Sequence, residues 1–308
     1  MSINARKVVL ASGLLMVALI LPQACKSNKS EMTGYATPND AANALHTAAK
    51  AGDQNALLAI FGPESKDVLY SGDPVQDKNA VTAFVSRYDA MHRWRRMEDG
   101  SQVLVVGADN FPFPIPLKKN SDGRWFFDTA AGKEEILNRR VGRNELAVID
   151  TCRAVVDAQA EYYAEKHGGV KQYAQKFVSD PGQQDGLYWP EAPGQPQSPL
   201  EPQAAKATAD GYNADPAHQQ PFHGYYFAML TKQGPDAPGG AKNYIVNGKM
   251  TGGYAVLAYP AKYGDSGIMT FIVNTDGVVL QKDLGKTTER PAAAITEFNP
   301  DKSWTVVQ

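Results

Sequence analysis

Two short segments carry residue types that enzymes use as nucleophiles and general bases. The segment Gly264-Asp265-Ser266-Gly267 has the local pattern of a catalytic serine, which would need a histidine base and an oxyanion hole. The pattern is incomplete, because Ile268 stands where a further glycine is expected, and Asp-Ser-Gly is also common turn chemistry. We therefore interpret this segment as a turn between strands.

His223 has the most distinctive surroundings of the five histidines, since it lies in an aromatic segment where a loop meets a predicted strand. As a general base it would need a cleft and a partner such as Asp265 or Glu191. The alternative is a histidine that is hydrogen-bonded to backbone in a packed turn. No residue is assigned as catalytic, and three residues are candidates for binding: His223, Tyr225 and Trp189.

We expect neither a metal nor a cofactor. The other histidines are isolated along the chain, and no pair has the spacing of a metal-binding helix or of a Cys/His cluster. The sequence also lacks a glycine-rich phosphate loop and a dinucleotide fingerprint.

The N-terminus has the parts of an export signal. Two basic residues precede an apolar run over residues 8–21 that is too short to span a bilayer, and Leu21-Pro22-Gln23-Ala24-Cys25 resembles a bacterial lipobox. We predict a signal peptide over residues 1–24, a lipid on Cys25 and a flexible tether over residues 25–36. The alternative is ordinary signal-peptidase cleavage at the same point.

Both interpretations place the mature chain outside the cytoplasm. Lys26, in place of an aspartate after the cysteine, favours the periplasmic face of the outer membrane in a Gram-negative host. The expected partners are the membrane, through the lipid, and an envelope protein. A net charge of −2 and a pI of about 6.2 give no global electrostatic footprint for nucleic acid or for an anionic membrane surface. With Cys25 acylated, Cys152 is predicted to be a small buried apolar residue.

Residues 37–140 are predicted to form an α+β domain. Thr37 and Pro38 favour the start of a helix that Gly52 ends, and further helices are expected. The two later helices cover residues 55–61 and 77–93, and short β-type runs follow at residues 103–106, 113–117 and 124–128. Helices followed by antiparallel strands are typical of this fold class.

Residues 141–308 are predicted to form a second α+β domain. A long helix over residues 145–166 opens it, residues 172–178 indicate another helix, and five prolines over residues 190–202 indicate an extended loop. The strands of an antiparallel meander are then expected at residues 225–230, 254–259, 268–274 and 278–282. Charged residues between positions 134 and 145 could bridge the domains or lie on solvated helix faces.

Several ordered blocks resemble a known family. Among them are Gly72-Asp73-Pro74-Val75, Gly142-Arg143-Asn144-Glu145, Phe222-His223-Gly224-Tyr225-Tyr226 and Met269-Thr270-Phe271-Ile272-Val273-Asn274. Together they are similar to the bacterial domain-of-unknown-function family 2950, which implies an exported protein of uncharacterised function and supplies no functional residue. The N-terminal part also resembles the nuclear-transport-factor-like, cystatin-like cone fold, and the C-terminal part resembles the globular head of pilin-like proteins.

These features favour a non-enzymatic exported lipoprotein that acts as an interaction or ligand-binding module of the cell envelope. The alternative is an envelope hydrolase that uses His223 with a nearby carboxylate or serine. A deep cleft that joins those groups would favour the hydrolase, and scattered placement would favour the binding module.

Overall fold

The structure is a computed structural model, and it describes residues 32–212, 220–286, 292 and 294–307. The predicted signal peptide, Cys25 and His218 lie outside these ranges. Within them, no helix combines the length and the apolar character needed to cross a membrane.

Most helices begin at a side chain that accepts hydrogen bonds from the first turn. Thr37 and Asp40 form a reciprocal capping box, and aspartates cap three later helices. The described α-helices are α1 (Pro38–Ala51), α2 (Gln54–Phe61), α3 (Lys66–Leu69), α4 (Pro74–Ala90), α5 (Thr129–Ala164) and α6 (Glu201–Asp210), with a short 3-10 turn at Pro63–Ser65 before α3.

The N-terminal half contains one antiparallel sheet, in which the strand order is β1-β2-β4-β5 and β3 pairs with β2. Its strands are β1 (His92–Arg96), β2 (Gln102–Val106), β3 (Phe111–Pro112), β4 (Leu117–Lys119) and β5 (Trp125–Phe127). One face packs against α1, α2 and α4, and the buried side chains there include Leu45, Phe61, Leu104 and Phe127.

The C-terminal half contains a second antiparallel sheet, with the order β16-β15-β14-β13-β8. Its strands are β8 (Tyr225–Leu230), β13 (Ala255–Pro260), β14 (Met269–Asn274), β15 (Leu280–Asp283) and β16 (Thr305–Val306). Three small ribbons accompany it: β6 (Lys176–Val178) with β7 (Gly186–Tyr188), β9 (Lys232–Gln233) with β10 (Lys242–Asn243), and β11 (Ile245–Val246) with β12 (Lys249–Met250).

The long helix α5 covers this second sheet with an apolar stripe. Val148, Cys152 and Val155 are buried against side chains such as Leu257 and Phe271 of the central strands. The predicted packing of a long helix across an antiparallel meander is therefore confirmed, and so is the α+β class. Cys152 is a free, fully buried cysteine, and burial raises the pKa of its thiol to about 12.

Four predicted element boundaries are wrong. Helix α5 begins at Thr129, where Asp128 caps it, and not at residue 145. Helix α4 ends at Ala90, because residues 92–96 pair with β2 as a strand. In the other two places, residues 113–116 lie between β3 and β4, and residues 172–178 contain the strand β6 instead of a helix. For β1 and β6, pairing with another strand overrides local propensity.

The last part of the predicted flexible tether is ordered. Tyr35 forms an isolated antiparallel bridge with Trp125 of β5, and its backbone N–H donates to the Trp125 carbonyl at 2.7 Å. The chain therefore enters the fold along the β5 edge of the N-terminal sheet. The proposed division into residues 37–140 and 141–308 stays a prediction, since each half has its own sheet while α5 runs through both.

Candidate functional site

Buried polar side chains meet where α4, α5 and two turns of the C-terminal half come together. We call them the junction cluster; its members are Asp73, Gln76, Arg140, Asn144, Tyr212, His223 and Asp265. Polar groups buried at this depth require hydrogen-bond partners within the protein. The cluster therefore shows how the two halves are joined.

Asp73 connects three segments of the chain. It caps α4, where its Oδ1 accepts hydrogen bonds from the backbone N–H groups of Val75 and Gln76 at 3.1 and 3.0 Å. Its Oδ2 accepts from the Tyr212 hydroxyl at 2.7 Å and from the Gly224 N–H at 3.2 Å. A carboxylate at a helix N-terminus is favoured by the helix dipole, and this carboxylate is only 1% exposed.

Asn144 links the middle of α5 to both neighbours and is completely buried. Its Nδ2 donates to the Ser266 carbonyl at 2.8 Å, and its Oδ1 accepts from Gln76 Nε2 at 2.9 Å. The same Gln76 nitrogen lies 3.5 Å from His223 Nδ1. Asn144 therefore ties the turn at residues 264–267 to the start of α4.

A buried ion pair stands beside this network. Arg140 donates to Asp265 and also to the Val68 carbonyl, and Lys262 Nζ approaches the second Asp265 oxygen at 2.9 Å. Glu145 Oε1 accepts the backbone N–H groups at the start of β14 at 2.9 Å. Of the two interpretations left open for residues 134–145, Arg140 contacts the other half through Asp265, whereas the contacts of Glu145 lie within residues 141–308. The pair formed by Arg139 and Glu135 lies within the helix.

His223 occupies a strained position in a tight turn. Phe222 and Tyr225 exchange backbone hydrogen bonds, and both residues between them have positive φ angles, 49° for His223 and 72° for Gly224. Histidine tolerates this left-handed conformation better than most side chains do. Such strain is more frequent at functional sites than elsewhere.

Burial lowers the pKa of His223. The negative charges of Asp73 and Asp210 oppose this shift, and the positive charges of Lys206 and Arg143 reinforce it. Its ring is half-buried, with the Tyr212 ring centroid at 5.5 Å. The histidine is therefore held in its neutral form more strongly than a free imidazole.

The Arg143 guanidinium and His223 Nε2 lie at the junction and have unused hydrogen-bonding groups. Arg143 is exposed, and its guanidinium makes no hydrogen bond or ion pair with any residue that the structure describes. Partial removal of the Arg143 guanidinium from water lowers its pKa, and the positive charge of Arg140 lowers it further. Within the same residues, His223 Nε2 also lacks a hydrogen bond.

A family model described as "Protein of unknown function (DUF2950)" matches residues 32–307. The chain belongs to this family. No curated protein and no solved structure matches it, so the resemblances of its two halves to the cone fold and to pilin-like heads are not confirmed. Blocks that carried the DUF2950 resemblance, including Gly72–Val75, Gly142–Glu145 and Phe222–Tyr226, converge at the junction cluster.

The groups considered for a DUF2950 hydrolase do not form a catalytic pair among the described residues. Ser266 is fully buried, and its Oγ is bonded to the backbone of Lys262. Asp265 is occupied by Arg140 and Lys262, and the carboxylate close to His223, Asp73, has both oxygens bonded elsewhere. The segment at residues 264–267 is a turn, closed by a Gly264 N–H to Gly267 carbonyl bond of 2.8 Å.

The two other candidate binding residues lie in the core. Trp189 is 4% exposed, and its Nε1 donates to the Pro196 carbonyl, so it anchors the proline-rich loop. Tyr225 is completely buried, and its hydroxyl donates to the Met269 carbonyl. Neither is available to a ligand, which leaves His223 as the accessible member of that set.

Two features outside the junction cluster bear on chemistry. Groups of three or more side chains able to hold a metal are absent from the described ranges. A cavity of about 490 Å³ lies between α1, α2 and Tyr35, and five of its eleven lining residues are alanines, with Asn43 and Asp53 among the polar members. Among the residues that the structure describes, this lining contains no histidine and no basic residue.

Proposed function

We propose that this DUF2950 protein is an exported lipoprotein, anchored through Cys25, that acts as a non-enzymatic ligand-binding module of the cell envelope. The junction cluster is its binding site, and Arg143 and His223 contact the ligand. In a Gram-negative host, the proposed location is the periplasmic face of the outer membrane.

One observation carries the proposal. In the segment from Arg140 to Glu145, Arg140 and Asn144 join the two halves and Glu145 binds the start of β14, whereas Arg143 has no partner among the described residues. An unpaired, planar guanidinium beside a half-buried histidine offers fixed donors to an incoming group. Ser266, Asp265 and Asp73 are all hydrogen-bonded within the protein, which supports ligand binding over hydrolysis.

A thermal-shift screen of the mature protein tests the binding site. A collection of carboxylates, phosphates, sugars and amides should contain compounds that raise the unfolding temperature, because a ligand stabilises the state that binds it. Arg143→Gln should abolish the shift. Arg153→Gln is the matched control, since Arg153 lies on the same helix with only a neighbouring Asp150 as partner. Hits unaffected by Arg143→Gln would contradict the assigned site.

Labelling with a fatty acid tests the anchor. The wild-type protein should carry the label and fractionate with the membrane, because the predicted signal ends at Cys25. Cys25→Ala should remove both properties. Unchanged acylation and fractionation in this variant would contradict the anchor.

A further inference from the structure

The charged residues in the strands of the N-terminal sheet are all basic. Together β1 to β5 carry five basic residues and no acidic residue, although the whole chain has a net charge of −2. The basic residues are Arg93, Arg95, Arg96, Lys118 and Lys119. The positive charge is therefore concentrated on one element of the fold.

The register places part of this charge on the face of the sheet opposite the helices. Trp94 pairs with Leu104, and both pack with the core beneath α1 and α4. Because side chains alternate along a strand, Arg93 and Arg95 point to the other face. Lys118 lies there too, since its neighbour Leu117 is buried in the core, but its charge is offset by an ion pair with Asp128 at 2.9 Å.

Among the described residues β1 is an edge strand with two unpaired arginines, whereas Arg93 donates to Asn110 Oδ1 at 2.6 Å. Every residue of β1 except Trp94 is exposed, and β1 is the terminal strand of the sheet. Arg95 and Arg96 form no ion pair or hydrogen bond with another side chain in the described ranges. Met91 and Met97 flank the strand and are 38% and 40% exposed.

The number of residues between Cys25 and the described part of the chain limits how far the sheet can lie from the proposed anchor. Tyr35 bridges to β5, and the order β1-β2-β4-β5 puts β1 three strand spacings away, roughly 15 Å. Seven residues separate the start of the mature chain from residue 32, and they span at most about 25 Å. A lipid at Cys25 therefore allows β1 to reach the membrane surface.

We propose that the β1 edge and the outer face of the N-terminal sheet contact an anionic phospholipid surface. Arg93 and Arg95 on the outer face and Arg96 at the exposed β1 edge contact the headgroups, and Met91 and Met97 enter the interfacial region. A basic surface next to a lipid anchor supplies the second attraction that makes membrane attachment stable. The inference goes beyond the proposed ligand site and uses the proposed anchor only for orientation.

Sedimentation with vesicles tests this contact. The mature chain with Cys25→Ser, which carries no lipid, is mixed with vesicles of phosphatidylcholine alone or with an equimolar mixture of phosphatidylcholine and phosphatidylglycerol. It should partition onto the anionic vesicles, and added salt should release it. Arg95→Gln with Arg96→Gln should weaken partitioning by about fivefold for each arginine, on the order expected for a basic residue near an anionic surface.

The control is Lys166→Gln with Lys302→Gln, which removes two exposed cations outside this sheet and should leave partitioning unchanged. Equal partitioning onto both vesicle types would overturn the proposal. So would binding to soluble polyglutamate in preference to anionic vesicles, because that would indicate an acidic protein partner. The unlipidated chain keeps this result separate from the labelling of Cys25.

Discussion

Asn144 is the residue through which α5 holds both the start of α4 and the turn at residues 264–267. In Asn144→Ala, the Ser266 carbonyl and Gln76 Nε2 lose their buried partner, which costs about 1–3 kcal/mol for each group left unpaired. Urea unfolding should show this loss in the free energy of unfolding. Asn138→Ala, at an exposed position of the same helix, should change it by no more than about 0.5 kcal/mol. Equal effects would show that the junction bonds contribute nothing specific.

The lowered pKa of His223 predicts a pH-dependent stability. As the pH falls, the unfolded chain takes up the His223 proton first, near the ordinary histidine pKa of about 6.5. The contribution of His223 to stability is therefore complete above that pH. It is lost as the pH falls through the lower pKa of the folded protein. His223→Asn keeps a side chain that accepts the left-handed backbone and removes the titration. Urea unfolding between about pH 5 and 7.5 should give a shallower slope for the variant.

The test compares the slope of unfolding free energy against pH in the wild-type protein with that in His223→Asn, because other groups titrate in both. Asp77, whose pKa is raised by burial, acts in the opposite direction at lower pH. Asp73, Asp210, Arg143 and Lys206 face His223 in both proteins. Identical slopes would contradict a buried, neutral His223.

At the scale of elements, α5 contains two glycines with opposite roles. A side chain at Gly142 would meet nothing within 4 Å, whereas one at Gly132 would come within 2.8 Å of the Ile115 backbone. Gly142→Ala should stabilise the protein by about 0.5–1 kcal/mol, because alanine is the better helix former. Gly132→Ala should lower the melting temperature, since the backbone at Ile115 must move. A Gly142→Ala protein with lower stability would contradict the exposed placement of this helix turn.

Capping residues and alternating strands made several elements predictable. Thr37, Pro38 and Gly52 set the limits of α1, and the patterns at residues 225–230 and 254–259 became β8 and β13. The Asn247-Gly248 pair, a strong hairpin signal that joins β11 to β12, went unused in the sequence analysis. The strand at residues 92–96 had no such signal, because its partner in β2 determines it.

At the scale of the whole molecule, the junction cluster could be predicted only in part. His223 and Asp265 were identified from local patterns, and Arg140 lies in the charged segment that the sequence singled out. Gln76 and Tyr212 were not, because a polar residue in a helix or loop has no local pattern that distinguishes burial at a distant contact from exposure. The cluster joins residues more than 140 positions apart, such as Asp73 and Gly224.

The central claim is that the junction cluster binds a ligand through Arg143 and His223 without transforming it. The most direct measurement is the chemical fate of a compound found by the thermal-shift screen, followed by NMR with the wild-type protein, Arg143→Gln and His223→Asn. We predict that the compound stays unchanged in every sample and binds more weakly to Arg143→Gln. Conversion by the wild-type protein that is lost in His223→Asn, while that variant remains folded, would contradict the claim and favour the hydrolase.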